Sequence, residues 1–166
     1  LVNLSIRLER MVDEKTYLLK KEKENVEKIN EVVEEQNRDI TDSILYAKKI
    51  QEAMLPSKKE MLSKINAFIL YKPRDIVSGD FYWYWESGDK LMIAIVDCTG
   101  HGVPGAFMSL IGSTLLSKII KDTAQLKPGL ILEALNANII DALHQGIDQH
   151  SNKDGMEIAI CAIDLA

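Results

Sequence analysis

The first 55 residues contain no glycine and no proline; all nine glycines and all four prolines lie beyond them. A stretch without helix breakers has no signal to stop a helix, so one long helix is expected there. Cysteine is scarce as well. Cys98 and Cys161 make no disulfide framework, and a reducing cytoplasm is the expected compartment. No lysine–arginine stripe is present and the net charge is −5, which argues against nucleic acid as a partner. No apolar run approaches the length that spans a bilayer, and no signal peptide is visible. What is present suffices for a core: the apolar fraction is 46%, which excludes general disorder. With 166 residues, the expectation is one domain plus an appendage, and the start at Leu1 rather than Met suggests a piece of a longer protein.

Within the glycine-free segment, apolar residues recur every seven positions: Val12, Leu19, Val26, Val33, Ile40, Ala47 and Met54. A sustained 3.5-residue period predicts a left-handed coiled coil over residues 1–55. The companion seam reads Lys15, Glu22, Ile29, Gln36, Ser43, Ile50 and is interrupted by polar groups. A homodimer through this helix is expected, with a marginal seam suited to transmitting a signal by a change of register. The competing reading is a solvated helix lying on its own domain.

Leu55-Pro56-Ser57 ends the pattern, because proline cannot continue a helix. Strands are expected at Ala67 to Tyr71, Gly79 to Trp85 and Leu91 to Asp97, the last two joined by a Ser87-Gly88-Asp89 hairpin turn. Helices are expected from Gly105 to about Lys121 and from Pro128 to about His144, with Pro128 in the first turn. A polar loop from Gly146 to Gly155 then leads to a last strand, Glu157 to Leu165. The fold class is therefore α+β, with the globular part spanning 56–166.

The chemistry concentrates in Asp97-Cys-Thr-Gly-His-Gly-Val-Pro-Gly-Ala106, between a strand end and a helix start. Gly100-His101-Gly102-Val-Pro-Gly105 matches the dinucleotide-binding pattern, but Asp97 at the strand end would repel a pyrophosphate and no second parallel strand follows. A cysteine phosphatase needs an arginine six residues after its nucleophile, and that position is Pro104. Cys98 instead reads as a small apolar side chain whose backbone carbonyl is the useful part. Asp80 and Asp97 lie at neighbouring strand ends, where two carboxylates can converge on a hard cation, Mg²⁺ or Mn²⁺. From spacing alone they read equally well as turn caps. A lone histidine such as His101 reads first as a residue that shapes its loop, and one face of the aromatic run 81–85 as core.

The segments Ser43-Ile-Leu-Tyr-Ala-Lys-Lys-Ile-Gln-Glu-Ala-Met-Leu-Pro56, Val77-Ser-Gly-Asp-Phe-Tyr-Trp83 and Asp97 through Ser109 resemble the SpoIIE branch of the PPM-type protein phosphatases. Asp154-Gly-Met-Glu157 resembles a strand entry of the same branch. The resemblance covers 43–166 almost continuously. It implies the N-terminal part of an α-β-β-α sandwich and a two-ion Mg²⁺ or Mn²⁺ centre that hydrolyses phosphoserine or phosphothreonine. Asp80 and Asp97 would be metal carboxylates, with Asp97 bridging, and Cys98 would offer its backbone carbonyl. Gly79, Gly100, His101, Gly102 and Gly105 would shape the turn, and Glu157 or Asp154 would match an accessory metal position. The implied partner is a phosphorylated regulatory protein of the anti-anti-sigma type. The implied setting is cytoplasmic, with an upstream sensor acting through the helix, and the cytoplasmic part of a membrane-attached sensor protein is compatible with it.

Complete domains of this type continue past the point matching Ala166, with two further strands and two further aspartates. The expectation is a fragment with an incomplete metal centre and little activity alone. A non-catalytic dimerising signalling module is the rival reading.

Overall fold

The structure, a computed structural model, describes residues 2–63, 65–122, 127–146 and 153–165. It divides into two units, residues 1–43 and 44–166. Helix α1, Val2–Met54, is 53 residues long and contributes to both. It ends where Pro56 removes a donor, and its last turn closes with the Leu55 N–H donating to the Gln51 carbonyl at 3.1 Å.

The first unit is helix alone. Its heptad residues Val12, Leu19, Val26, Val33 and Ile40 are all exposed. Little besides local pairs such as Lys23–Glu27 supports it from within. Exposed pairs of that kind contribute only tenths of a kcal/mol, so the stripe is the unit's main unspent source of stability.

The second unit begins at Ile44, twelve residues before the expected start at Pro56. The last turns of α1 belong to the globular part because Ile44 and Ala47 are half-buried and Gln51 is fully buried. Helix α2, Lys58–Leu62, follows, capped by Ser57, whose hydroxyl accepts the Glu60 N–H. Three antiparallel strands then form one sheet in the order β1-β2-β3: β1 is Phe81–Ser87, β2 is Lys90–Cys98 and β3 is Met156–Asp164. Gly88, at φ +58, makes the tight β1–β2 turn, where a side chain would strain the backbone.

Alternation sorts the sheet into two faces. Phe81 and Trp83 of β1 align with Val96 and Ala94 of β2, and those with Ile158 and Ile160 of β3. This face is covered by α3, Gly102–Asp122, and α4, Pro128–Ala142, through Met108, Leu116, Ile119, Ile120, Ile131, Leu135 and Ile139. Leu116 and Ile131 are fully buried, so truncating either to alanine should cost about 2–5 kcal/mol. Trp83 keeps its indole N–H satisfied by donating to Ser117 Oγ at 3.0 Å. Among the described residues α3 alone is long and apolar enough to cross a membrane, contrary to expectation; half of it is buried in this core, which accounts for its composition.

The segment Ala67 to Tyr71 is not a strand. A strand requires a ladder partner, and 67–71 pairs with none of the three strands; Phe68 and Leu70 are 87% and 85% exposed. The last strand begins at Met156 and the helices begin and end within a few residues of expectation, except that α3 starts at Gly102. Most of the loop expected from Gly146 to Gly155 lies outside the described residues.

Candidate functional site

Antiparallel pairing places Phe81 opposite Val96, so the residue before β1, Asp80, stands beside Asp97 near the end of β2. Their carboxyl groups are close enough for the charge of one to act on the other. Partial burial of the Asp80 carboxyl, reinforced by the Asp97 charge, raises its pKa above the ordinary carboxylate value. Two carboxyls in this relation repel each other when both are charged, and a cation between them removes that repulsion.

The residues around the pair fix it in place. The Asp80 N–H donates to Ser78 Oγ at 3.1 Å, and the Tyr71 hydroxyl donates to the Asp80 carbonyl at 3.2 Å. Ser78 is itself held by Gln51, near the end of α1. The Gln51 amide donates to the Ser78 carbonyl at 2.6 Å and to Ser109 Oγ on α3 at 2.8 Å, while its oxygen accepts the Ser78 N–H at 3.1 Å. A buried amide with donor and acceptor both engaged is a rigid coupling between three elements.

Glycines bring the same elements together at backbone distance. A Cβ on Gly79 would lie 2.7 Å from the Gly100 carbonyl oxygen, and one on Gly105 would lie 2.5 Å from that oxygen and 3.0 Å from the Gly79 Cα. No larger residue fits at either position without moving the 78–80 segment or the start of α3. Gly100 at φ +86 and Gly102 at φ +63 form the turn between β2 and α3.

A cavity of about 300 Å³ opens here, lined by the Asp80 and Asp97 carboxylates, Arg74, Asp75, Cys98 and His101 among others. The Cys98 side chain is buried, and burial, with the charges of Asp97 and Asp80, pushes its thiol up to about 12. It is therefore no nucleophile at neutral pH. His101 Nδ1 lies 2.9 Å from Asp75 Oδ2. Arg74 makes no ion pair with any described residue.

Glu157 pairs with Asp97 in the sheet register, but neither Glu157 nor Asp154 lines this cavity. Among the described residues no group of three or more His, Cys, Asp or Glu side chains converges. The donor set on hand is thus two carboxylates with the Cys98 carbonyl nearby, 3.3 Å from the ideal Cβ position of Gly79. Hard oxygen donors around a close carboxylate pair suit Mg²⁺ or Mn²⁺. Gln51, Arg74, Asp75 and Tyr71 carry no local sequence signal that marks them as site residues, although Gln51 lies within a segment that resembles the family.

The sheet of three strands thus carries two helices on one face and a carboxylate pair at its strand ends. Residues 87–165 match the family model Stage II sporulation protein E (SpoIIE). The solved SiaA-PP2C domain of Pseudomonas aeruginosa matches with a TM-score of 0.67 and 34% sequence identity, over 78% of this chain and 50% of that one. Both findings support a SpoIIE-like domain of the PPM phosphatases, a family generally dependent on Mg²⁺ or Mn²⁺. The chain spans about half the length of the SiaA structure. No curated protein matches it.

Proposed function

We propose that the protein hydrolyses phosphoserine or phosphothreonine in a cytoplasmic regulatory phosphoprotein, in a Mg²⁺- or Mn²⁺-dependent reaction. The observation that carries this reading is the Asp80–Asp97 pair, two carboxyls brought side by side at neighbouring strand ends next to the Cys98 backbone carbonyl. Asp97, in the central strand, and Asp80 would hold the metal, with the Cys98 carbonyl as a further oxygen donor. When bound, such ions lower the pKa of a coordinated water and neutralise phosphoryl charge. Arg74, which lines the cavity and has no ion-pair partner among the described residues, suits the phosphoryl oxygens.

Control by an upstream sensor would act through Gln51. This residue belongs to α1 and holds Ser78, two residues from Asp80, so a displacement of the helix end would be felt at the carboxylate pair. The exposed heptad stripe of α1 suits a parallel pairing of two chains, which would deliver the signal to both domains together.

The test is release of inorganic phosphate from phosphoserine and phosphothreonine peptides by the full-length protein, with and without Mn²⁺. The reading predicts turnover that a chelator abolishes and Mn²⁺ restores. Turnover indifferent to the chelator would refute the metal dependence, and none with either peptide at saturating Mn²⁺ would refute the activity.

A further inference from the structure

The phosphoryl group of one phosphoserine is the same as that of any other, so selection of a substrate has to come from the residues beside it. Next to the carboxylate cavity lies a second one, a groove of about 540 Å³ lined by Ile44, Ile76, Val77 and Val103 together with Arg74 and Asp75. All of these residues belong to the globular unit. Ile44 comes from the C-terminal part of α1, Ile76 and Val77 from the segment leading to Asp80, and Val103 from the first turn of α3. Ile44 and Ile76 are half-buried and Val103 is 39% exposed, which leaves aliphatic surface in contact with water. An apolar side chain that covers it is held by the removal of that water.

The groove is continuous with the cavity of Asp80 and Asp97, because Arg74, Asp75 and Val77 line both. A peptide with its phosphoryl group at the carboxylate pair reaches the groove by passing Arg74 and Asp75. At roughly 3.3–3.6 Å per residue it does so in about two residues. The residues at the boundary suit such a chain. Arg74 supplies N–H donors and has no ion-pair partner among the described residues, while the Asp75 carboxylate accepts. A peptide backbone offers one acceptor and one donor per residue to match them.

We propose that this groove is a specificity subsite, which takes an aliphatic side chain of the substrate close to its phosphoserine or phosphothreonine; this rests on the phosphatase reading above. Ile76 and Val103 are its specificity-determining residues. The contact is made alike before and during hydrolysis, so it acts on KM and leaves kcat as it is.

The experiment uses the full-length protein with Mn²⁺ and phosphoserine peptides of alanine and glycine that carry a single leucine. The leucine is moved through the two positions on either side of the phosphoserine. At one position it should raise kcat/KM at least about 10-fold over alanine, through KM. Val103→Asp and Ile76→Ser should each bring that ratio close to one. Aspartate is favourable in the first turn of a helix, so α3 is kept in the first variant. A ratio that stays at about 10-fold in both variants overturns the assignment of the groove, however far the absolute rates fall. Equal kcat/KM for every peptide in the parent protein overturns the proposal and leaves the phosphatase reading standing. A melting temperature lowered by Val103→Asp would in that case assign the groove to a segment of the protein itself. If the parent protein hydrolyses none of the peptides, the phosphatase reading fails and this proposal with it.

Discussion

Asp80 is the residue on which the site's pH behaviour turns. Its pKa is raised in the folded protein by partial burial and by Asp97, so folding favours the protonated form. The stability it contributes is full at low pH and is lost as pH rises through the raised value. In metal-free protein, Asp80→Asn should therefore raise the melting temperature at pH 7.5 and leave it unchanged near pH 4. Mn²⁺ should stabilise the parent protein at pH 7.5 far more than at pH 4, because a proton on the Asp80 carboxyl competes with the cation; thermal shift at both pH values checks this. Equal stabilisation at the two pH values would mean that the ion binds elsewhere. The cysteines give a second test at this scale. Iodoacetamide at pH 8 should label exposed Cys161 and spare buried Cys98 in the folded protein, as read by peptide mass spectrometry. Rapid labelling of Cys98 would reopen the thiol chemistry that Pro104 argues against.

At the scale of elements, the site depends on how closely α3, the 78–80 segment and the end of α1 approach one another. Gly105→Ala places a methyl 2.5 Å from the Gly100 carbonyl and should cost about 1–3 kcal/mol. Gln51→Ala leaves the buried Ser78 N–H and carbonyl without their partners, and should cost a similar amount, about 1–3 kcal/mol. Denaturant unfolding measures both, and Mn²⁺ titration should show weaker binding in each. A Gln51 variant of unchanged stability and metal affinity would remove the coupling between α1 and the site. Much of this arrangement was legible in the chain: the heptads of α1, the Ser87–Lys90 turn and the alternation of β1 and β2 follow from local pattern. Asp80 and Asp97 were legible as a pair because a hairpin brings its two ends together. Gln51 was not, since one buried amide on a helix leaves no periodicity, and its partners Ser78 and Ser109 lie 27 and 58 residues away. Asp75 and His101 were missed as a pair for the same reason. The strand expected at 67–71 failed because an apolar run encodes the tendency to pair and not the presence of a neighbour.

For the whole molecule, the long helix and the globular unit make different demands. The stripe from Val12 to Ile40 is exposed in a single chain, and burying it requires a second helix. In sedimentation, residues 1–166 should behave as a dimer, and Val26→Asp with Val33→Asp should give monomers, because unpaired charges in a helical seam cost several kcal/mol. Monomers from the parent sequence would refute pairing through α1, and dimers from both would move the interface to another surface. The account as a whole stands on the carboxylate pair as a metal centre. Its most direct test is Asp97→Asn in the full-length protein, followed by phosphate release from a phosphoserine peptide with Mn²⁺ and by circular dichroism. The account predicts an intact fold with turnover lower by roughly 100-fold or more, since a metal centre contributes several kcal/mol to the transition state. Unchanged turnover in a folded Asp97→Asn protein would contradict it.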